Sequence, residues 1–200
     1  MPKCKGGLGF RDIYTFNLAM LAKQGWTLVQ NPDSLCARIL HAKYFSHGDL
    51  FKAKRAGAMS YTWRSILQGV KVLEKGVIWR IGNGDRVNIW KDPWMPRGTT
   101  GRLITPRGSN LLSRVSELID TVSGEWDEEL LNQTFWPEDA DVIRAIPVHT
   151  DMDDVLAWHF DPLGIFSVKS AYKVHRDRLQ CESKRGQPST AANSKREDTF

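Results

Sequence analysis

One stretch of the chain combines the two residue types that contact nucleic acids. Tryptophans and basic residues follow one another closely between residues 79 and 97. Bases can stack on a tryptophan ring while Lys and Arg side chains meet phosphates, and each stacked base contributes about 1–3 kcal/mol. The candidate nucleic-acid-binding residues, including three basic residues upstream of this stretch, are Lys52, Lys54, Arg55, Arg80, Arg86, Trp90, Lys91 and Arg97.

The same tryptophans could instead belong to the core. In an alternating strand pattern, Trp79 falls on the more apolar face and Trp90 on the less apolar face. Tryptophan is highly buried on average. We therefore predict a core position for Trp79, whereas the pattern leaves both a core position and an exposed position open for Trp90.

The glycine-rich segment GNGD at residues 82–85 is interpreted as a turn. A phosphate-binding loop needs a helix directly after its glycines, so that free backbone N–H groups and the helix dipole face the anion. The residues that follow, RVNIWKD, alternate between polar and apolar as a strand does. Asn83-Gly84 is also a strong hairpin signal. We predict a β-hairpin here and no phosphate loop.

The chain carries no recognisable catalytic or metal-binding motif. Acidic residues are grouped at 127–129, 137–141 and 151–154, and we interpret them as solvated helix faces and a loop rather than a two-metal site. Three cysteines and five histidines lack zinc-ligand spacing. No nucleophile motif or P-loop occurs. We predict no catalytic residue, no bound metal and no cofactor.

Charge is distributed unevenly along the chain. Through Thr100 there are 16 Lys and Arg against 6 Asp and Glu, a net charge of +10, whereas from Gly101 there are 12 against 17, a net charge of −5. A basic half suits nucleic acid or another polyanion. It equally suits a solvated surface on which the acidic half docks.

The hydropathy of the chain and its first residues indicate the cellular compartment. No run of eighteen apolar residues occurs, and the basic start lacks the apolar segment of a signal peptide. We expect an intracellular protein, in the nucleus or cytoplasm, that is neither secreted nor associated with a membrane.

The first 76 residues predict a helical unit. Apolar residues recur at three- and four-residue steps in three segments, which Asp12, then Asp33 or Ser34, then Ser60 can cap. Gly76 fits a left-handed cap beyond the third helix. The predicted buried stripes are Ile13, Phe16, Met20, Leu21 and Trp26, then Leu35, Ile39 and Leu40, then Trp63, Ile66, Leu67, Val70 and Leu73.

From Val77 the hydrophobic period changes from 3.6 to 2, which indicates strands. We predict one hairpin over 77–90 around GNGD and a second over 155–169 around the turn DPLG. An irregular surface segment is expected over 95–110. The predicted later helices are 111–119, 126–135, 137–146 and 170–179.

These elements define an α+β fold with an N-terminal helical unit, two β-hairpins, short helices and a disordered C-terminal tail. The predicted units are 1–76, 77–179 and the tail 180–200. The tail has almost no large apolar residues, so burial cannot offset the entropy of ordering it.

Three blocks of the sequence resemble a known family. They are GGLGFRDIYTFNLAMLAKQGWTL, WRIGNGDRVNIWKDPWMP and WHFDPLGIFSVKSAY, and the resemblance covers about residues 2–180. In this order they are similar to the C-terminal region of plant non-LTR (LINE-type) retrotransposon polyproteins. In that family the stretch lies between the reverse transcriptase and a zinc-binding reverse-transcriptase domain, often followed by ribonuclease H.

The resemblance implies a non-catalytic linker region that holds template RNA or target DNA near the polymerase. The family's paired metal-binding aspartates would lie upstream and its Cys/His zinc cluster downstream. No catalytic or metal residue of the family therefore maps onto a position here, and Cys181 alone does not supply the cluster. The implied partners are RNA or single-stranded DNA and the other domains of the polyprotein.

Three alternatives to nucleic-acid binding remain open from the sequence. The chain could be a protein-interaction module or structural connector, in which the basic half meets an acidic protein surface. It could be an enzyme fragment to which the polyprotein's activity is assigned by name alone. It could also be a decayed gene fragment without biochemical activity.

Overall fold

The computed structural model describes residues 12–46, 48–53, 59–98 and 100–185. The predicted α+β class is confirmed by these residues. Short 3-10 turns lie at Leu50–Lys52 and Val115–Leu118. In chain order the helices and strands are α1 (Ile13–Gln30), α2 (Leu35–Tyr44), α3 (Tyr61–Leu73), β1 (Val77–Arg80), α4 (Glu128–Thr134), α5 (Pro137–Arg144), β2 (Val155–Trp158) and α6 (Val168–Arg185).

The first three helices begin where the sequence places their caps. The Asp12 carboxylate accepts hydrogen bonds from two backbone N–H groups of the first turn of α1. Ser34 caps α2 and Ser60 caps α3 in the same way, each accepting from the backbone N–H three residues later. Such caps satisfy N–H groups that have no partner inside the helix.

Helix α3 buries the face that its sequence predicts. The stripe of Trp63, Ile66, Leu67, Val70 and Leu73 is buried. The prediction for this helix is therefore confirmed.

Helix α1 buries only part of the predicted stripe: Leu21 and Trp26 are half-buried against the core, but two other members are exposed. Ile13 is 82% exposed and Met20 41% exposed. The buried face consists mainly of smaller residues, namely Thr15, Leu18, Ala19, Ala22, Gly25 and Leu28. A Cβ atom at Gly69 of α3 would overlap the backbone of α1. The two helices therefore cross at close range, and small side chains rather than large apolar ones form the contact.

The predicted hairpins are wrong, although the strand positions at 77–80 and 155–158 are right. Strands β1 and β2 pair with each other, antiparallel, with Val77 opposite Trp158 and Arg80 opposite Val155. The segment after GNGD pairs elsewhere, since the Val115 N–H donates to the Val87 carbonyl. Strand partners are chosen by non-local contacts that a local turn signal does not contain.

The second predicted hairpin contains a turn without a returning strand. Gly164 has a φ of 77° and donates its N–H to the Asp161 carbonyl. The chain then enters α6, where the Ser167 hydroxyl accepts from the Ser170 N–H at 3.1 Å. This helix begins at Val168 rather than after Ser170 and extends through Arg185.

The other predicted helices are shorter than expected. The 111–119 segment contains only the 3-10 turn, and α4 and α5 lie inside their predicted ranges. Residues 180–185 of the predicted tail belong to α6. Residues 186–200 lie outside the described residues.

Three apolar clusters form the core. One joins α1 and α3 to β1, β2 and α6, and includes the fully buried Trp158. A second cluster lies among the three N-terminal helices around Trp63. The third consists of apolar residues from segment 81–146. Gly76 does not adopt the left-handed cap predicted for it, and a Cβ atom there would overlap the Trp158 ring. This glycine allows the first cluster to close.

Candidate nucleic-acid interface

The GNGD loop binds an anion that belongs to the chain itself. The Asp154 carboxylate, 2% exposed, accepts hydrogen bonds from the backbone N–H groups of Gly82 at 2.8 Å, Gly84 at 2.9 Å and Arg86 at 2.8 Å. These N–H groups cradle a negative charge as phosphate loops do. Because Asp154 uses them, the loop does not offer them to a phosphate.

This carboxylate positions the start of a basic surface. Asp154 ties the end of β1 to the start of β2, so the direction in which Arg86 leaves the loop is set from both strands. The Arg86 guanidinium lies 5.8 Å from the ring centroid of the half-buried Trp79, within the range of a cation–π contact. Arg114 reaches the same place and donates to the Arg86 carbonyl at 2.9 Å.

A second tight loop directs Lys91 to solvent. The Asn88 side-chain oxygen accepts from the N–H groups of Trp90 at 3.1 Å and Lys91 at 3.0 Å. Asp92 in turn accepts from the Asn88 N–H at 2.8 Å. The loop thereby turns the Trp90 ring toward the core, 5.7 Å from the Phe135 ring, while Lys91 is exposed.

These basic residues line a groove of about 1810 Å³ between α2 and the β1–β2 region. Seven Lys and Arg residues line it, against five Asp and Glu residues. The basic residues are Arg38, Lys52, Lys75, Arg86, Lys91, Arg102 and Arg114, and all are exposed. We refer to this cavity as the basic groove.

One ion pair lies inside the basic groove. Asp49 contacts Lys52 at 2.7 Å, which raises the pKa of that lysine, and Asp154 is held by three backbone N–H groups. Leaving out the Lys52–Asp49 pair, six Lys and Arg residues line the groove with four Asp and Glu residues, so a small positive excess remains.

The structure brings together only some of the predicted binding residues. Lys52, Arg86 and Lys91 line the basic groove. Lys54 and Arg55 lie outside the described residues.

The other predicted residues make internal contacts. Arg80 donates to the carbonyls of Pro162 at 2.7 Å and Leu163 at 3.2 Å, and so holds the 161–164 turn. Arg97 pairs with the buried Asp139. The Trp90 indole donates to the Leu112 carbonyl at 2.8 Å, and its half-buried ring packs on the core. None of these three residues lines the basic groove.

Sequence reasoning missed four basic residues of the groove, namely Arg38, Lys75, Arg102 and Arg114. Two of them lie in the half of the chain with a negative net charge. A charge count by halves therefore concealed them, and no local motif marks them.

Sequence reasoning also misplaced two carboxylates as solvated. Asp139 is fully buried and accepts from Arg97, from the N–H groups of Ile104 at 3.0 Å and Thr105 at 2.7 Å, and from the Thr105 hydroxyl. Asp154 is the second. Neighbouring acidic residues are exposed, so the sequence contains no signal that separates these two from the others.

The described residues offer neither a metal site nor a membrane-spanning helix. They contain no group of three His, Cys, Asp or Glu side chains placed to hold a metal ion. None of their helices combines the length and apolar character needed to cross a lipid bilayer.

Two Arabidopsis thaliana proteins are similar to this chain. One, named "Putative ribonuclease H protein", is 32% identical over 181 residues, which cover 86% of this chain and 29% of the relative. The other, named "Uncharacterized mitochondrial protein", is 40% identical over 90 residues, which cover 45% of this chain and 58% of the relative. The chain thus spans less than two thirds of either relative. No family model and no solved structure matches it.

Both relatives are plant proteins, and one is named for ribonuclease H. The match to a plant protein named for ribonuclease H agrees with the resemblance of the three sequence blocks.

Proposed function

We propose that this chain is a non-catalytic region of a LINE-type retrotransposon polyprotein that binds nucleic acid without sequence specificity. It corresponds to the region between the reverse transcriptase and the zinc-binding and ribonuclease H domains. The observation that carries the binding function is the basic groove, where exposed Lys and Arg side chains from separate chain segments converge.

The chemistry of the groove suits a phosphate backbone. Flexible, exposed cations neutralise phosphates and release condensed counterions, a contact that reads no base sequence. The logarithm of the affinity should therefore fall linearly with the logarithm of the salt concentration, by about 0.7 per neutralised phosphate on a single strand.

The binding test compares two charge reversals of equal size. Arg86→Glu/Lys91→Glu changes two cations of the groove, whereas Lys23→Glu/Lys71→Glu changes two exposed lysines outside it. Fluorescence polarisation with labelled RNA and DNA, at two salt concentrations, measures the affinity of each folded variant. We expect the groove variant to lose about tenfold or more in affinity, together with part of the salt dependence, and the control to change little.

Equal losses in both variants would contradict the proposal, because they would show that only total charge matters. No RNA binding by the folded chain at low salt, together with binding to an acidic protein, would favour a protein-interaction module. The isolated chain should show neither reverse transcription nor cleavage of an RNA–DNA hybrid. Activity in either assay would contradict the non-catalytic assignment.

A further inference from the structure

We propose that the basic groove selects single-stranded nucleic acid over duplex, with the exposed apolar face of α2 as the surface that contacts the bases. This inference rests on the nucleic-acid function proposed above. It adds the form of the ligand and the residues that distinguish it.

Helix α2 presents an apolar stripe that the core does not use. Leu35 is 71% exposed and Ile39 56% exposed. With Ala42 they stand at positions i, i+4 and i+7, so they share one side of the helix. The helix instead buries Ala37 and packs through Leu40. The sequence predicted Leu35 and Ile39 to be buried, and that prediction is wrong.

This apolar stripe lines the same groove as the seven cations. A ligand that fills the groove must therefore offer negative charge and apolar surface together. A single strand does so, because its phosphates carry charge while its unstacked bases expose flat apolar faces. A duplex hides its base faces inside the stack and presents phosphates outward, so it would place charge against Leu35 and Ile39.

An acidic amphipathic protein helix offers the same two properties, but it fits this site less well. Such a helix binds by inserting anchor side chains into a hydrophobic groove. Here the apolar residues stand on the exposed side of a helix, and the cations come from α2, the 3-10 turn after it, the turn after α3 and four later loop positions. A flexible charged strand can follow cations that are dispersed in this way.

The test substitutes the apolar stripe without changing charge. Leu35→Gln/Ile39→Gln changes two exposed residues of α2, and Leu35 is the first residue of that helix. The matched control is Ile13→Gln/Met20→Gln, which changes two exposed residues of α1 outside the groove. Ile13 is likewise the first residue of its helix. Affinities are measured for single-stranded RNA, single-stranded DNA and duplex DNA of equal length, after circular dichroism shows that each variant is folded.

We expect the unmodified chain to bind single strands more tightly than duplex. The α2 variant should lose about fivefold to tenfold in affinity for single strands through lost apolar contact, with duplex affinity and control unchanged. Equal losses for single strand and duplex, or no loss at all, would overturn the inference. Stronger competition by an acidic helical peptide than by single-stranded RNA would also overturn it.

The failures of the two proposals are distinguishable. If Arg86→Glu/Lys91→Glu abolishes binding while the α2 variant binds normally, the groove binds nucleic acid but α2 does not select its form. If neither variant changes binding, the groove itself is not the site.

Discussion

The N-terminal helices and segment 81–146 are held together in different ways. Helices α1 and α3 pack through apolar and small side chains, and Thr15 is their only fully buried polar residue among those described. Segment 81–146 contains little regular structure. It depends on two buried carboxylates, Asp139 within it and Asp154 just beyond it, each of which binds several backbone N–H groups. Where hydrogen bonds are not supplied by helices or sheets, these side chains replace them.

The basic groove draws on both kinds of region. Four of its seven cations, Arg86, Lys91, Arg102 and Arg114, stand on loops of segment 81–146, where polar contacts rather than secondary structure hold the backbone. The apolar stripe proposed to contact bases stands on a regular helix. In the groove, buried polar contacts therefore position the cations of segment 81–146, and a capped helix positions the apolar stripe.

Removing a carboxylate anchor should have the largest effect on stability. Asp139→Ala would leave the Arg97 guanidinium and the N–H groups of Ile104 and Thr105 without their acceptor. We expect a loss of about 3–5 kcal/mol in the free energy of unfolding, measured by urea denaturation. The control is Asp141→Ala on the same helix, an exposed carboxylate that should cost under about 1 kcal/mol. Similar costs for the two substitutions would refute the anchoring role.

Filling the close helix crossing should have the next largest effect. A Cβ atom added by Gly69→Ala would overlap the α1 backbone at Leu21 and Ala22, so the helices must separate. Overpacking of this kind costs about 1–3 kcal/mol, even though alanine is the better helix former. Gln68→Ala, at the exposed neighbouring position, should leave stability nearly unchanged. A stabilised Gly69→Ala variant would show that the helices do not cross closely.

A change at the GNGD loop should have an effect similar in size to that of Gly69→Ala. Asp154→Asn keeps one oxygen for the two glycine N–H groups but can no longer accept from the Arg86 N–H. We expect a loss of about 1–3 kcal/mol in the free energy of unfolding, because a charge-assisted acceptor is replaced by a neutral one. Asp153→Asn, at an exposed position, is the control. Equal costs for the two substitutions would contradict the role of Asp154 in holding the loop.

Much of the helical half could be predicted from the sequence, and much less of the site. The caps at Asp12, Ser34 and Ser60 and the buried stripe of α3 depend on residues within one or two turns of each other. The buried face of α1 could not be predicted from apolar spacing, because Gly69 on another helix selects the small residues. Of the groove's seven cations, three were predicted: Arg86 and Lys91 because they lie among the tryptophans in the chain, and Lys52 because it belongs to the basic first half.

By itself the sequence determined the α+β class, the starts of the first three helices, the positions of the two strands and the excess of positive charge in the first half. These features depend on side chains acting on their own backbone and on near neighbours. Only the tertiary structure decided that β1 pairs with β2, that Asp154 is the anion of the GNGD loop, and that Arg102 and Arg114 join Arg86. Those contacts connect residues far apart in the chain, and local patterns do not encode which distant partners will meet.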